Sequence, residues 1–283
     1  MKVQEIINSQ IKEQLEESLE RFKLTATEHF LTEDEPMPCI RRSIDVCVQN
    51  GVSGYKYKGI NKWLRYNDNE NFYYTFNKIQ ELAGHIKKGT ESRLLFVYIP
   101  PKYVKDEKTG VSVCVKPPMT KYHTVFRWQD TEGIERPKVV EDKDNSRAAN
   151  LDEFLAKVKV KGINWIESGD FAEYNESEDM VHVPPISRFE NSDLYYATLF
   201  REIIKATGNK ERLDRWKDKR HSDPREELIG EIVAATICQR YGIDVMPDTA
   251  ADIYKWLKAL EDDELLFTSA MAKAEKALEW LDK

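Results

Sequence analysis

The sequence predicts an α+β fold in two parts: a small α+β domain and, after it, a mostly helical domain with a small sheet. Residues 94–99 (Leu-Leu-Phe-Val-Tyr-Ile), closed by two prolines, are typical of a strand, whereas helical periodicity dominates beyond residue 190. The charge divides in the same way. Residues 51–127 hold 14 Lys and Arg against 6 Asp and Glu, a balance of +8, and the other 206 residues hold 29 against 44, a balance of −15.

Five elements are predicted in the first part, in the order helix, helix, helix, strand, strand. They are helices over 3–23, 60–66 and 75–83 and strands over 94–99 and 124–128. Pro36 and Pro38 end the first helix, because proline cannot donate a helical hydrogen bond. Residues 51–59 are rich in Gly, Tyr and Lys, which is typical of a loop or a strand edge. Residues 102–121 are expected to form a loop.

The second part begins after a predicted linker. Residues 129–150 lack a long apolar periodicity, so we place a domain at 1–135, a linker at 136–150 and a second domain at 151–283. The elements predicted beyond the linker are a helix near 151–160, strands around 171–174 and 180–183, and helices at about 192–207, 224–241, 249–260 and 263–281.

The composition excludes several classes of protein. At 283 residues, 41% hydrophobic and 33% charged, the chain is a globular protein of about two domains. No apolar run approaches the roughly 20 residues of a membrane helix, and the N-terminus lacks the apolar core of a signal peptide, so we expect a cytoplasmic protein without a membrane partner. The four cysteines form no C-x-x-C pair, which argues against a disulfide framework or a cysteine-based zinc site.

The basic segment also contains thirteen aromatic residues, interleaved with lysines. Cations can follow a phosphate backbone while aromatic faces stack on unpaired bases, so this combination predicts binding of single-stranded nucleic acid. The alternative is that each ring packs in the domain's own core and the lysines form a solvated face. The candidate contact residues are Tyr55, Lys56, Tyr57, Lys58, Asn61, Lys62, Trp63, Arg65, Tyr74, Lys87 and Lys88.

Motifs in this segment resemble the N-terminal domain of ArdC-type antirestriction proteins. The family's "GIN…L", "TF…Q…GG…KG" and "VFN…Q…G" patterns correspond here to residues 59–64, 75–89 and 125–133, with Ala83 in place of the first glycine of "GG". The resemblance covers about residues 1–135. It implies that this domain binds single-stranded DNA.

The predicted helix at 192–207 has the frame of a zincin helix, in which two histidines at i and i+4 flank a glutamate general base. Glu202 occupies the position of the base, but Arg201 and Lys205 occupy the two histidine positions. Neither is an ordinary zinc ligand, because each carries a proton where the metal needs a lone pair.

The second part resembles the metallopeptidase domain of the same family, whose pattern "YYATLLHELTHWTGH…RL" is similar to residues 195–213. The segment 226–232 resembles the family's "EELVAEI". The resemblance implies that Glu227 is the counterpart of the carboxylate ligand, with Glu231 one helical turn later, and that Asn209 replaces a further histidine. We therefore expect no bound metal, no cofactor and no catalytic residue, and expect ion pairs of Arg201 and Lys205 with Glu202, Glu227 or Glu231.

Three functions stay open at this point. The first is a non-enzymatic, antirestriction-like protein that binds single-stranded DNA, with a host restriction or repair protein as a candidate partner. The second is a partner-binding scaffold of a mobile element that binds no DNA. The third is a residual metal-dependent peptidase with Glu202 as base and unpredicted ligands; His182 and His221 are candidates for such ligands, but their positions favour structural or solvent-facing roles.

Overall fold

The computed structural model describes residues 2–28, 47–65, 68, 70–105, 112–137, 150–216, 223–244 and 250–283. The chain divides into two compact units, one of Met1–Gln10 with Cys47–Val139 and one of Ile11–Val46 with Val140–Lys283. This division assigns residues 11–46 to the second unit, whereas the boundary drawn from the sequence at residue 135 keeps them in the first.

The described residues form a mixed α+β fold, as predicted. After helix α1 (Val3–Glu28), the elements up to residue 137 are β1 (Gln49–Asn50), α2 (Ile60–Arg65), β2 (Phe72–Tyr74), α3 (Phe76–Glu81), β3 (His85–Ile86), β4 (Arg93–Ile99), β5 (Lys102–Lys105), β6 (Ser112–Lys116), β7 (Met119–Arg127) and β8 (Thr131–Glu132). The predicted first helix is confirmed and ends at Glu28. The prolines expected to end it, Pro36 and Pro38, lie outside the described residues.

The main sheet of the first unit has the strand order β1-β2-β7-β4. Strands β1 and β2 are parallel, and β7 pairs antiparallel with both β2 and β4. Strands β3 with β8 and β5 with β6 form two small antiparallel ladders. Phe72, Tyr74 and Ile79 form a buried apolar cluster under this sheet.

One expectation for the first unit was wrong, and several short strands were not predicted. Residues 102–121 are not a loop, because β5, β6 and the start of β7 lie within them; the proline pairs at 100–101 and 117–118 separate these strands. Strand β2 was missed, because its three residues are all buried and show no alternation between apolar and polar side chains. The predicted order of three helices and then two strands is corrected accordingly.

The second unit contains most of the helical residues. Its elements after residue 149 are α4 (Asn150–Val160), β9 (Asn164–Glu167), β10 (Glu173–Asn175), β11 (Met180–Val183), α5 (Ser192–Ala206), α6 (Pro224–Arg240), α7 (Ala250–Asp262) and α8 (Leu266–Asp282). The strands form a sheet of order β10-β11-β9. All predicted helices and both predicted strands of this part are confirmed, and the short, mostly exposed β9 was missed.

Helices α5 and α6 position the candidate site, and each begins at a capping residue. Asn191 Oδ1 accepts a hydrogen bond from the Leu194 amide at 2.9 Å. Asp223 Oδ1 accepts from the Arg225 amide at 2.9 Å, and Pro224 follows at the first helical position, where its missing amide costs nothing. No helix in the described ranges is long and apolar enough to cross a membrane.

Candidate functional site

A tight turn after β1 displays the first of the predicted contact residues. Asn50 Oδ1 accepts hydrogen bonds from two following backbone amides at 3.0 and 2.9 Å, and the Asn50 carbonyl accepts from the Gly54 amide at 2.9 Å. The turn holds the side chain of Tyr55, which is 64% exposed, next to the exposed Lys56 and Lys58. An aromatic side chain and two cations that are close in sequence are thus exposed on this segment.

Tyr57 and Lys62 are half-buried neighbours of this turn. The rings of Tyr55 and Tyr57 meet edge to face, with their centroids 5.9 Å apart. Burial raises the pKa of Tyr57, and a hydrogen bond with Asn50 opposes that shift. Tyr57 therefore packs against the ring of Tyr55, and its own side chain is only partly exposed.

Asn61 has a structural role. Its Nδ2 donates to the Phe96 carbonyl and its Oδ1 accepts from the Phe96 amide, both at 2.7 Å. The side chain is buried and ties α2 to β4. The prediction that Asn61 contacts DNA is therefore corrected. Both polar atoms of its side chain already have partners inside the domain, so its role is structural.

Three further predicted contact residues are buried: Trp63, Arg65 and Tyr74. The Tyr74 hydroxyl lies 3.4 Å from the carbonyl of Gly51, and a Cβ on that glycine would lie 2.0 Å from the Tyr74 ring. Desolvation lowers the pKa of Arg65, while Asp68 opposes the shift. These three side chains stabilise the fold, so their assignment to a DNA-contacting surface is corrected too.

Lys87 and Lys88 follow β3 and are both exposed. Lys87 Nζ donates to the Gln129 carbonyl at 2.8 Å, which fixes its position beside the β3–β8 ladder. Lys88 has no such contact in the described residues. Of the eleven predicted contact residues, the exposed ones are Tyr55, Lys56, Lys58, Lys87 and Lys88.

A surface that the sequence interpretation missed lies at the far end of the sheet. We call it the β-arm and define it as residues 97–105 and 112–122. Three of its tyrosines are largely exposed, Tyr98 at 63%, Tyr103 at 60% and Tyr122 at 45%. Its described residues include four lysines and no Asp or Glu, and these lysines are Lys102, Lys105, Lys116 and Lys121. The alternating pattern between the proline pairs could have identified it.

In the second unit, Glu202 and Lys205 form an ion pair one turn apart on α5. Lys205 Nζ donates to Glu202 Oε1 at 2.6 Å, and the Glu202 side chain is only 4% exposed. Glu202 Oε2 is buried and has no hydrogen-bond partner among the described residues. The carboxylate in the position of a general base is thus neutralised by the cation in the position of a histidine.

The other expected site residues are also paired with opposite charges. Arg201 Nε lies 3.3 Å from Glu231 Oε1 on α6, and the Glu227 carboxylate accepts a hydrogen bond from Lys255 on α7. Each of these carboxylates, which could otherwise coordinate a cation, has an ammonium or guanidinium within contact distance instead. The pairing expected from the sequence is found for Arg201 and Lys205, whereas the partner of Glu227 was not predicted.

A buried ion pair behind this cluster was also missed. Arg215 donates to both carboxylate oxygens of Glu226, with the shortest distance 2.9 Å, and both side chains are at most 5% exposed. The guanidinium also donates to Thr207 Oγ1 at 2.7 Å and to the Ile204 carbonyl at 2.9 Å. These bonds hold the end of α5 against the start of α6.

Asn209 belongs to a hydrogen-bonded chain of side chains. Its Nδ2 donates to the Tyr174 hydroxyl at 2.8 Å, which donates to Asp179 Oδ1 at 2.6 Å. Arg212 donates to both Asp179 oxygens at 2.8 Å. Burial acts to raise the pKa of Asp179, but the bonds from Arg212 and Tyr174 outweigh it and hold that pKa below its ordinary value.

The close approach of Trp216 requires a glycine at position 208. A Cβ on Gly208 would lie 2.4 Å from the Trp216 indole. Any larger residue at this position would displace the ring, which packs on Tyr174 with centroids 5.6 Å apart. Gly208 therefore allows the Trp216 ring to pack closely against the end of α5.

The donor set does not fit a divalent cation. Lysine and arginine lack the lone pair that a metal needs, and no group of three or more His, Cys, Asp or Glu in the described part of the chain is placed to hold an ion. Both ring nitrogens of His182 already have hydrogen-bond partners: Nδ1 lies 2.8 Å from Ser168 Oγ, and Nε2 lies 2.8 Å from Glu178 Oε2. His221 lies outside the described residues.

Comparison with known protein families matches both parts of the chain. Residues 2–126 match the N-terminal domain of the anti-restriction factor ArdC, and residues 149–273 match a zincin-like metallopeptidase family. The chain has the architecture of the ArdC-like antirestriction family. The helices α5 and α6 with their ion pairs lie in its zincin-like domain.

Solved structures and curated relatives agree with this ArdC-type architecture. The chain is similar to crystal structures of the antirestriction protein ArdC from plasmid R388, metal-free and Mn(II)-bound, with 28% and 27% identity and a TM-score of 0.61 over 95% of this chain and 96% of ArdC. The uncharacterized protein y4eC of Sinorhizobium fredii is 28% identical over 73% of this chain and 69% of its own length. Two Escherichia coli proteins named DNA primase TraC are 27% identical over 80% of this chain, which spans only 23% and 17% of their lengths.

Proposed function

We propose that this protein binds single-stranded DNA through its first unit and that its zincin-like domain has no peptidase activity. The observation that carries the proposal is a contrast in the surroundings of the cations. Lys56 and Lys88 are exposed and form no ion pair with another described residue, whereas Arg201 and Lys205 contact carboxylates of their own domain.

Binding of DNA follows from the chemistry of the exposed residues. Lysine side chains can contact successive phosphates, and an exposed tyrosine such as Tyr55 can stack on an unpaired base whatever its identity. The +8 charge balance of residues 51–127 attracts a polyanion. The ArdC-type architecture and the name of the TraC relatives, DNA primase, support DNA as the ligand.

Loss of peptidase activity follows from the ion pairs of α5 and α6. A catalytic zinc requires three protein ligands and an open position for water, and the carboxylates available at these positions are already paired with cations. One oxygen of Glu202 accepts a hydrogen bond from Lys205 at 2.6 Å, and neither position 201 nor position 205 offers an imidazole to hold a metal-bound water beside it. The domain is then retained for stability or for contact with a partner.

Fluorescence anisotropy with a labelled oligonucleotide tests the first half of the proposal. We expect single strands to bind more tightly than duplexes of the same length, with the logarithm of the affinity falling linearly with the logarithm of the salt concentration. Absence of binding, or equal binding to single and double strands at all salt concentrations, would contradict the proposal and favour a partner-binding scaffold.

Calorimetric titration with Mn(II) and Zn(II) tests the second half. The wild-type protein should take up neither ion and should cleave neither casein nor a DNA–protein crosslink. The double variant R201H/K205H restores two imidazole ligands beside Glu202 and should gain measurable metal affinity. Uptake of a metal by the wild-type protein, together with cleavage, would establish the residual peptidase instead.

An antirestriction role is part of the same proposal, with a host restriction or repair protein as the candidate partner. Expression of the protein should raise the efficiency with which an unmodified plasmid transforms a restriction-proficient host. The same plasmid in a restriction-deficient host is the control, and an equal effect in both hosts would argue against the role.

A further inference from the structure

The β-arm continues the main sheet beyond the point at which its core ends. Phe96 on β4 is directly opposite Tyr122 on β7, and Tyr98 is opposite Thr120. Side chains that face each other across an antiparallel pair lie on the same face of the sheet. That face is buried at Phe96 and exposed at Tyr122 and Tyr98, so two tyrosine rings stand diagonally adjacent in solvent.

The hairpin β5–β6 adds a third ring and a thiol. Tyr103 is directly opposite Cys114, and both side chains are exposed. A ligand lying on the Tyr103 ring would therefore also cover the Cys114 sulfur. The thiol provides a chemical probe for the occupancy of this face.

Among the described residues, the charges of the β-arm have no partner of opposite sign. Lys102 lies directly opposite Lys116, an arrangement of like charges that destabilises an antiparallel pair. Within the described residues neither lysine forms an ion pair, and the described part of the arm has no Asp or Glu. Bound anions would remove the repulsion.

The charge also decides which partner fits. A second copy of the arm would bring four more lysines against the first four, so self-association would add to the repulsion. A polyanion with unpaired aromatic bases complements both the lysines and the tyrosines.

We propose that the β-arm binds single-stranded DNA, with Tyr98, Tyr103 and Tyr122 stacking on bases and lysines of the arm contacting phosphates. Lys121 alternates with Tyr122 along β7 and is paired with Val97, so it reaches a phosphate from the opposite face of the ribbon. The inference rests on the proposed function and assigns it a second surface, separate in sequence from the turn at Tyr55 and from Lys87 and Lys88. A single strand long enough to reach both surfaces would bind more tightly than a short one.

Matched charge variants of the full-length protein test the inference. K102Q/K105Q/K116Q/K121Q removes the arm cations, and K210Q/K258Q/K276Q/K283Q removes the same number of exposed cations from the second unit. In anisotropy titrations with a labelled oligo-dT strand, the arm variant should bind at least about tenfold more weakly, with a shallower salt dependence, since removal of one phosphate interaction reduces the slope by ~0.7. The control variant should bind like the wild type.

Tyrosine variants separate stacking from charge. Y98A/Y103A/Y122A should bind about tenfold more weakly or worse, with an unchanged salt slope, because stacking involves no counterion release. Y98F/Y103F/Y122F keeps the ring faces and should retain the affinity. Circular dichroism confirms that each variant is folded.

Alkylation of Cys114 provides a readout that needs no substitution in the arm. The oligonucleotide should slow the reaction of this thiol with iodoacetamide, as followed by peptide mass spectrometry. If the wild type binds the oligonucleotide while the arm variants bind equally well and Cys114 stays unprotected, the arm inference is wrong and the proposed function stands. If the wild type binds no oligonucleotide, the proposed function itself is wrong, and the arm inference fails with it. Dimers that form through the arm without DNA would also contradict it.

Discussion

The cations of the β-arm and those of helix α5 are chemically alike but have opposite surroundings. On the arm, Lys102 faces Lys116 and the described residues of the arm contain no carboxylate. On α5, Lys205 contacts Glu202 and Arg201 contacts Glu231. The first set can attract an external anion, and the second set is neutralised within the protein.

Under the proposed function, one family architecture retains DNA binding and loses peptidase activity. In that proposal Arg201 and Lys205 occupy two ligand positions and remove a metal site, and the carboxylates that remain stabilise those cations as ion pairs. Exposed cations that form no ion pair within the described residues of the β-arm keep their charge for a ligand. The following variants test this contrast, beginning with the largest expected effect.

Arg215→Met should lower the free energy of unfolding by about 3–5 kcal/mol, because it leaves the Glu226 carboxylate buried without its partner. The control is Arg188→Met, which breaks an ion pair between two exposed groups, Arg188 and Asp170, and should cost less than about 1 kcal/mol. Urea denaturation measures both. Equal losses of stability would contradict the conclusion that Arg215 and Glu226 form a buried ion pair.

Asn61→Ala should lower the free energy of unfolding by about 1–3 kcal/mol, since it leaves the buried amide and carbonyl of Phe96 without the partners that Asn61 provides. Its oligonucleotide affinity, measured well below the unfolding transition, should equal that of the wild type. Asn77→Ala alters an exposed asparagine on α3 and serves as the control. A loss of affinity without a loss of stability would contradict the structural role and would indicate that Asn61 contacts DNA.

The Asp179 carboxyl makes the stability of the second unit sensitive to acid. Its pKa is lower in the folded than in the unfolded protein, so its contribution is complete above the unfolded value of about 4 and is lost as the pH falls through the folded value. In acid titrations of unfolding, Asp179→Asn should be less stable than the wild type at neutral pH. It should also lose less of its remaining stability in acid, and a parallel pH dependence of the two proteins would contradict the assignment.

K56Q/K58Q/K88Q should change the stability least, within about 0.5 kcal/mol, and act on DNA binding instead. Removal of one phosphate interaction should reduce the salt slope of the affinity by ~0.7. Thermal unfolding and anisotropy on the same preparations measure the two effects. If the variant were destabilised but bound DNA normally, these lysines would stabilise the fold and would not contact DNA, which would contradict the prediction.

The sequence predicted most of the fold because its helices are long and periodic. Helices α5 and α6 carry caps and buried faces that can be recognised from residue order alone, and both were placed correctly. Strand β2 was missed because all three of its residues are buried. The β-arm was missed because proline pairs and short alternating runs were interpreted as a loop.

The candidate site was harder to predict, because burial depends on tertiary packing. Trp63 and Tyr55 look alike as aromatic neighbours of lysines, yet Trp63 is fully buried and Tyr55 is 64% exposed. Local spacing did indicate the Lys205–Glu202 pair, which is one helical turn apart. It could not indicate Lys255 as the partner of Glu227, because the two lie on different helices.

The most direct measurement compares two variants that each lack two cations, K102Q/K116Q in the β-arm and R201Q/K205Q in α5. Single-strand affinity is measured by anisotropy across a range of salt concentrations. We expect the arm variant to bind more weakly, with a salt slope reduced by about 1.4 for two missing phosphate interactions, and the α5 variant to follow the wild-type line. Equal weakening in both variants, or weakening only in the α5 variant, would contradict the assignment of DNA binding to the outward-facing cations of the first unit.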